Sequence, residues 1–176
     1  MRIPLLSMRS LVCGLVVTIA AFAQAPSAHA ARDRVQASLP YPAGTIVISK
    51  RERRLYLTLD DGTALRYPIA VGMSGRAWSG AAHVDGKYVE PAWAPPAEVK
   101  RDHPNLGLVP GGSPHNPMGA RALTLDRSEI AIHGTTASMR RSIGSAASYG
   151  CIRMYNEDVV DLFDRVRVGT LVVAVP

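Results

Sequence analysis

The sequence predicts a mainly β domain with one clear helix near its carboxyl end. Three observations carry this reading. Between Thr45 and Val71 the residues are β-branched or alternate apolar with polar, which is the period of a half-buried strand. Between Gly72 and Gly119, Pro91, Pro95, Pro96, Pro104, Pro110, Pro114 and Pro117 repeatedly remove the backbone donors that a helix or central strand would use. After Asn156, Val159, Leu162, Phe163 and Val166 fall at i, i+3, i+4 and i+7, the spacing of one amphipathic helix.

Taken in order, Thr45-Ile46-Val47-Ile48-Ser49 is a strand, and Leu55, Leu57 and Leu59 alternating with Tyr56 and Thr58 are a second. Asp60-Asp61-Gly62 is a turn in which Gly tolerates positive φ, and Ala64 to Val71 returns as a third strand, giving a hairpin or meander. The proline-rich segment 72–119 reads as loop, with Trp78 and Trp93 either rimming a cleft or covering the edge of the core. Ala122 to Leu125 and Glu129 to Ile132 are short strands, the second delivering His133-Gly134-Thr135 at its end. Ser142 to Ser148 is a glycine- and serine-containing connection. Asn156 caps the helix, Asp158, Asp161 and Asp164 face away from its apolar side, Gly169 ends it, and Thr170 to Val175 is the last strand.

The amino terminus has a different character. Arg2 and Arg9 flank the start of a chain that runs into the apolar stretch Leu11 to Ala23, too short for a spanning helix, and then into Ala28-His29-Ala30, an A-x-A cleavage pattern. Residues 1–30 therefore read as a secretory signal peptide, 31–44 as a flexible lead-in with two prolines, and 45–176 as one folded domain. An uncleaved anchor is the alternative. Of the 176 residues, 146 would remain after cleavage, enough for a single core.

Losing Arg2 and Arg9 takes the formal charge from +6 to +4. The remaining basic residues, Arg32, Arg34, Lys50 to Arg54, Lys100-Arg101 and Arg140-Arg141, suit an anionic surface. After export the anionic cell envelope is the expected neighbour, and no nucleic acid partner is expected. Cleavage would also remove Cys13 and leave Cys151 as the one thiol. An unpaired cysteine in an exported chain is a site of intermolecular pairing, a buried apolar residue or a nucleophile.

His133 and Cys151 lie 18 positions apart, each beside a glycine at the end of an ordered segment. Thiolate is the nucleophile, and a neighbouring imidazole can take the thiol proton and later return it to a leaving amine. Gly150 lets the chain turn sharply, so that the amides of Gly150 and Cys151 point at a tetrahedral oxyanion. His83, His103, His115 and His133 lack the tight spacing of zinc ligands. No metal and no cofactor is expected, and His115 reads as a loop residue.

Ile132-His133-Gly134-Thr135, Ser142-Ile143-Gly144 and Ser148-Tyr149-Gly150-Cys151-Ile152-Arg153-Met154 with Asn156 resemble the signature of the L,D-transpeptidase catalytic domain (YkuD-like) family. The likeness extends to Leu55-Tyr56-Leu57, Val71-Gly72, Trp93-Ala94-Pro95-Pro96, Asn116-Pro117-Met118-Gly119 before Arg121-Ala122-Leu123, and Gly169-Thr170. Several segments in the right order are far more specific than one motif. The resemblance implies a β-sandwich-like catalytic fold over 45–176 and a periplasmic or envelope enzyme acting on peptidoglycan stem peptides.

In that reading Cys151 is the nucleophile and His133 the base. Gly150, Gly134, Thr135 and Tyr149 support the oxyanion and the imidazole, and Arg153 binds substrate. The acyl group passes to the side-chain amine of a second stem, to water (an L,D-carboxypeptidase) or to an envelope protein amine. Oligomeric state is not encoded in any readable pattern. One departure stands out: the family commonly has histidine two residues before the nucleophile, where this chain has Tyr149. A non-catalytic peptidoglycan-binding module is therefore the rival from another class.

Overall fold

The computed structural model describes residues 33–176, so the expected signal peptide lies outside the described residues. Strands β1 (Asp33–Gln36), β2 (Ile46–Ser49), β3 (Arg54–Thr58) and β4 (Thr63–Gly72) lead into β5 (Gly80–Val89) and the short helix α1 (Ala97–Asp102). There follow β6 (Arg121–Leu125), β7 (Ala131–His133), a 3-10 turn at Arg140–Ser142, β8 (Ala146–Ser148), β9 (Ile152–Met154), α2 (Asn156–Arg165) and β10 (Leu171–Val175).

The fold is mainly β, as the alternation predicts, and its sheet closes on itself. Going round the ring, β4, β3, β2, β10, β5, β6, β7 and β9 are neighbours, and β9 returns to β4 through Ile69↔Met154 and Ala70↔Arg153. Closure removes free edges from the ring. β4 is long enough to serve two neighbourhoods, its first half pairing with β1 and β3 and its second with β8 and β9. The connection from β7 to β9 is the one that matters for the site, because the two strands run parallel with Ile132 opposite Ile152 and His133 opposite Arg153.

The core is the inside of this ring. Ile46, Ile48, Leu55, Tyr67, Ile69, Leu123, Ile132, Met154 and Leu162 have no exposed surface. At roughly 1.5–3 kcal/mol per fully buried large apolar side chain, these contacts supply most of the drive for folding. α2 packs on β6 and β7, with Val159 and Leu162 inward and Phe163 against the core edge. Lys87 of β5 closes the far end of α2 by donating to the carbonyls of Phe163 and Val166, each at 2.6 Å, where a cation suits the negative end of the helix.

Four expectations are corrected. The lead-in contains β1, which adds antiparallel to β4 with Asp33 opposite Arg66. The proline-rich segment holds the ten-residue β5, whose inward positions are Ala82, Val84 and Gly86, small residues that carry little strand signal. Asp161 does not face away, since it accepts a hydrogen bond of 2.6 Å from the fully buried Tyr67. Asn156 is the first helical residue, Tyr155 occupies the cap position, and the Asn156 side chain is used elsewhere. Among the described residues no helix is long and apolar enough to cross a membrane.

Candidate active site

A cleft of about 620 Å³ opens beside the carboxyl end of β6, walled on one side by Trp93 to Pro96 and on the other by Asp126 to Ala131, with Cys151 on its floor. Trp93 thus lines the cleft, whereas Trp78 packs on the core edge beneath the Arg127 guanidinium. The wall segment is pinned at its base by the paired backbones of Trp93 and Val109, at 2.9 and 2.8 Å.

Cys151 enters the cleft because of the residue before it. Gly150 has φ of +125°, and a Cβ there would come within 2.8 Å of Ile130 Cδ1, so only glycine makes this turn without strain. The thiol is half-buried and sits 3.4 Å from the carbonyl of Glu129, a non-glycine residue with φ of +60°. Burial pushes the Cys151 thiol up, the Ala131 backbone and the Arg153 guanidinium pull it down, and the Glu129 carboxylate adds to the rise.

His133 is at the end of β7, 5% exposed, with Nδ1 2.9 Å from the carbonyl of Gly134. That contact selects the tautomer with the proton on Nδ1 and leaves Nε2 as the acceptor. Burial, then the charge of Arg153, holds the imidazole down at about 4, against the pull of the Gly134 and Pro117 carbonyls. His133 is therefore neutral at pH 7, the state a base requires. Parallel register places His133 opposite Arg153, and Cys151 stands just before β9, two residues ahead of Arg153.

The supporting residues divide. Gly134 holds His133 through its carbonyl. Gly150 N is 3.2 Å from the hydroxyl of Ser148, which donates in turn to the Cys151 carbonyl. Thr135 turns to the opposite side, where its backbone meets Asn156 and its residues line a smaller recess with Asn116. Tyr149 is directed away from the cleft: its hydroxyl donates to Asp102 at 3.0 Å and lies 3.3 Å from His103 Nε2, while Arg76 covers its ring at 4.0 Å. Arg153, expected to meet substrate, is 8% exposed, does not line the cleft, and donates to Ser142 Oγ at 2.6 Å.

Sequence reasoning missed Glu129, Asp102, Arg76 and the Asn156 side chain. A backbone carbonyl aimed at a thiol leaves no trace in residue type. Nor does a contact between residues 47 apart, as for Tyr149 and Asp102. His115 is an exposed loop residue. Among the described residues no group of three or more His, Cys, Asp or Glu side chains is arranged to hold a metal.

Fold and cleft define a class: a closed, mainly β domain that sets a free thiol in a cleft and holds a buried neutral imidazole at the end of a neighbouring strand. The chain belongs to the L,D-transpeptidase catalytic domain (YkuD) family, whose model matches residues 43–174. The Escherichia coli K12 protein named Probable L,D-transpeptidase ErfK/SrfK is 39% identical over 137 residues, covering 72% of this chain and 42% of that protein. The chain thus spans less than half the length of that relative. A crystal structure of L,D-transpeptidase 3 from Mycobacterium tuberculosis shares the fold, with a TM-score of 0.61 at 16% identity over 77% of this chain and 62% of that one. A Brucella melitensis structure described as a probable carnitine operon oxidoreductase is 42% identical, with a TM-score of 0.53, over 78% of this chain and 89% of that one.

Proposed function

We propose that this protein is a cysteine-dependent peptidoglycan L,D-transpeptidase of the periplasm or cell envelope, with Cys151 as nucleophile and His133 as general base. The observation that carries the reading is the thiol in the cleft lining, at the start of the strand that pairs with the one carrying an imidazole that is neutral and held by the Gly134 carbonyl. The substrate class follows from family membership.

Cys151 leaves the Glu129 carbonyl and gives its proton to His133 Nε2. The thiolate attacks the carbonyl of the third stem residue, a diamino acid, and the tetrahedral oxyanion is met by the Cys151 amide. The imidazolium protonates the nitrogen of the terminal D-alanine, the C–N bond breaks, and a thioester remains. The side-chain amine of a second stem then attacks the thioester while His133 takes its proton. A cross-link forms and the thiol is restored, with no redox change and no cofactor.

Gly134 orients the imidazole, Gly150 shapes the turn that presents the thiol, and Thr135 anchors the end of the His133 strand. Tyr149 supports the cleft wall instead of taking a proton, because its ordinary pKa near 10 is pushed up further by burial and by the neighbouring Asp102.

Mass spectrometry of the purified protein with a disaccharide tetrapeptide, beside Cys151→Ala, tests the reading. Loss of D-alanine with a cross-linked dimer, both absent in the variant, is the expected result. Tripeptide alone assigns a carboxypeptidase. No product and no adduct on Cys151, with binding retained, leaves a wall-binding module.

A further inference from the structure

Among the described residues, Arg153 is the only arginine, lysine, aspartate or glutamate in the buried set. A charge withdrawn from water is costly unless an opposite charge or a full set of hydrogen bonds compensates it. Other arginines have carboxylate partners: Arg140 pairs with Glu157 at 2.8 Å, Arg165 with Asp161 at 2.9 Å, and Arg76 with Glu98 and Asp102 at 3.2 Å. Arg153 is different. Its guanidinium donates to Ser142 Oγ, its Nε is buried without a partner, and no carboxylate among the described residues forms an ion pair with it.

What faces Arg153 is the reacting pair. Its register partner across the parallel ladder is His133, and its charge acts on Cys151, two residues before it. The charged groups that bear on Cys151 are Arg153 from β9 and Glu129 from the β6–β7 turn, with Asp85, Asp126 and Arg127 lining the cleft beyond and His133 on the neighbouring β7. The Glu129 carboxylate is exposed and accepts from the Ala97 amide. The group able to become an anion next to Arg153 is the thiol itself.

We propose that Arg153 is a positioning residue acting through charge: its unneutralised guanidinium stabilises the Cys151 thiolate and then the oxyanion, and opposes protonation of His133. The role rests on reading Cys151 as nucleophile and His133 as base. At rest the site holds one positive charge, with thiol and imidazole neutral. Proton transfer creates a thiolate and an imidazolium together, so the net charge is unchanged and the new anion is met by Arg153. The imidazolium, repelled by the same guanidinium, is a stronger acid toward the departing amine. The direction of both titrations agrees, since Arg153 lowers the thiol against burial and helps to lower the imidazole.

The test is the pH dependence of Cys151 alkylation by iodoacetamide, followed by intact mass in the full-length protein, with Arg153→Gln and Arg153→Lys compared and Cys151→Ala as the blank. Iodoacetamide reads thiolate without needing stem peptide. In Arg153→Gln the inflection is expected to move to higher pH, with the rate at pH 7 falling about tenfold. Arg153→Lys, which keeps the charge, is expected to stay within about threefold of the parent. The His133 ring-proton titration should move up in Arg153→Gln alone. An unmoved inflection in Arg153→Gln, or equal displacement in the Gln and Lys variants, overturns the proposal. If Arg153→Gln does not fold, Arg153→Met takes its place, because an apolar chain removes the buried charge without leaving a polar group unpaired. Absence of an acyl adduct on the parent with tetrapeptide sinks the nucleophile reading separately, whatever the alkylation profile shows.

Discussion

Asn156 holds Thr135 by both ends of its amide: Thr135 N donates to Oδ1 at 2.9 Å, and Nδ2 donates to the Thr135 carbonyl at 2.9 Å. The same Oδ1 accepts from Ala120 N at 3.1 Å. Gly134 and Gly119 make the close approach feasible, since a Cβ at either would lie 2.1 or 2.2 Å from that oxygen. One side chain at the start of α2 thereby fixes the segment that carries His133.

Asn156→Ala removes all three bonds and strands two amides in a part-buried place. A loss of about 2–4 kcal/mol is expected in urea unfolding. Acyl-enzyme formation should fall about 10- to 100-fold at pH 7 even where the variant is folded, because His133 is no longer held in register with Cys151. Asn156→Asp keeps the acceptor and loses the donor, so its cost should be intermediate.

His133 makes stability depend on pH. Its folded value near 4 lies below the ordinary 6.5, so between these values the unfolded chain binds a proton that the folded chain does not. The stabilisation is complete above pH 6.5 and is lost as pH falls toward 4, by about 3 kcal/mol in total. His133→Gln should flatten this part of the pH–stability curve measured by chemical denaturation. An equally steep fall in the variant would assign the acid sensitivity to other groups.

Tyr149 ties the nucleophile loop to the helix of the cleft wall through Asp102, whose carboxyl it and Arg76 hold below the usual carboxylate range. Tyr149→Phe retains the ring under Arg76 and removes the hydroxyl. Amides of His103 and Lys100, bonded to Val99 and Pro96, should exchange faster by hydrogen–deuterium mass spectrometry. Alkylation of Cys151 by a small reagent should change by less than about twofold. A sharp rise in transpeptidation in Tyr149→His would instead show that the native protein lacks a needed imidazole at this position.

The strands from Ile46 to Gly72, the helix from Asn156 and the ends that carry His133 and Cys151 were legible because each follows from local rules: alternation, helical spacing, and glycine beside a nucleophile. β5 was not, since Ala82 and Gly86 face inward where the partner strand leaves no room: a Cβ at Gly86 would meet Thr124 Oγ1 at 2.7 Å. That constraint exists only once β6 lies alongside. The expected outward orientation of Asp161 failed for a related reason, because a charged side chain reads as exposed until its surroundings are known.

By itself the sequence determined the main elements and the family, and it named His133 and Cys151 as the candidate pair. The tertiary structure alone decided which groups share an environment. Parallel pairing of β7 with β9 put an unneutralised guanidinium beside a thiol and an imidazole, and folding of the wall segment brought Asp102 to Tyr149. Burial and charge act through space with a strength set by distance and dielectric, neither of which is encoded in the order of residues along the chain.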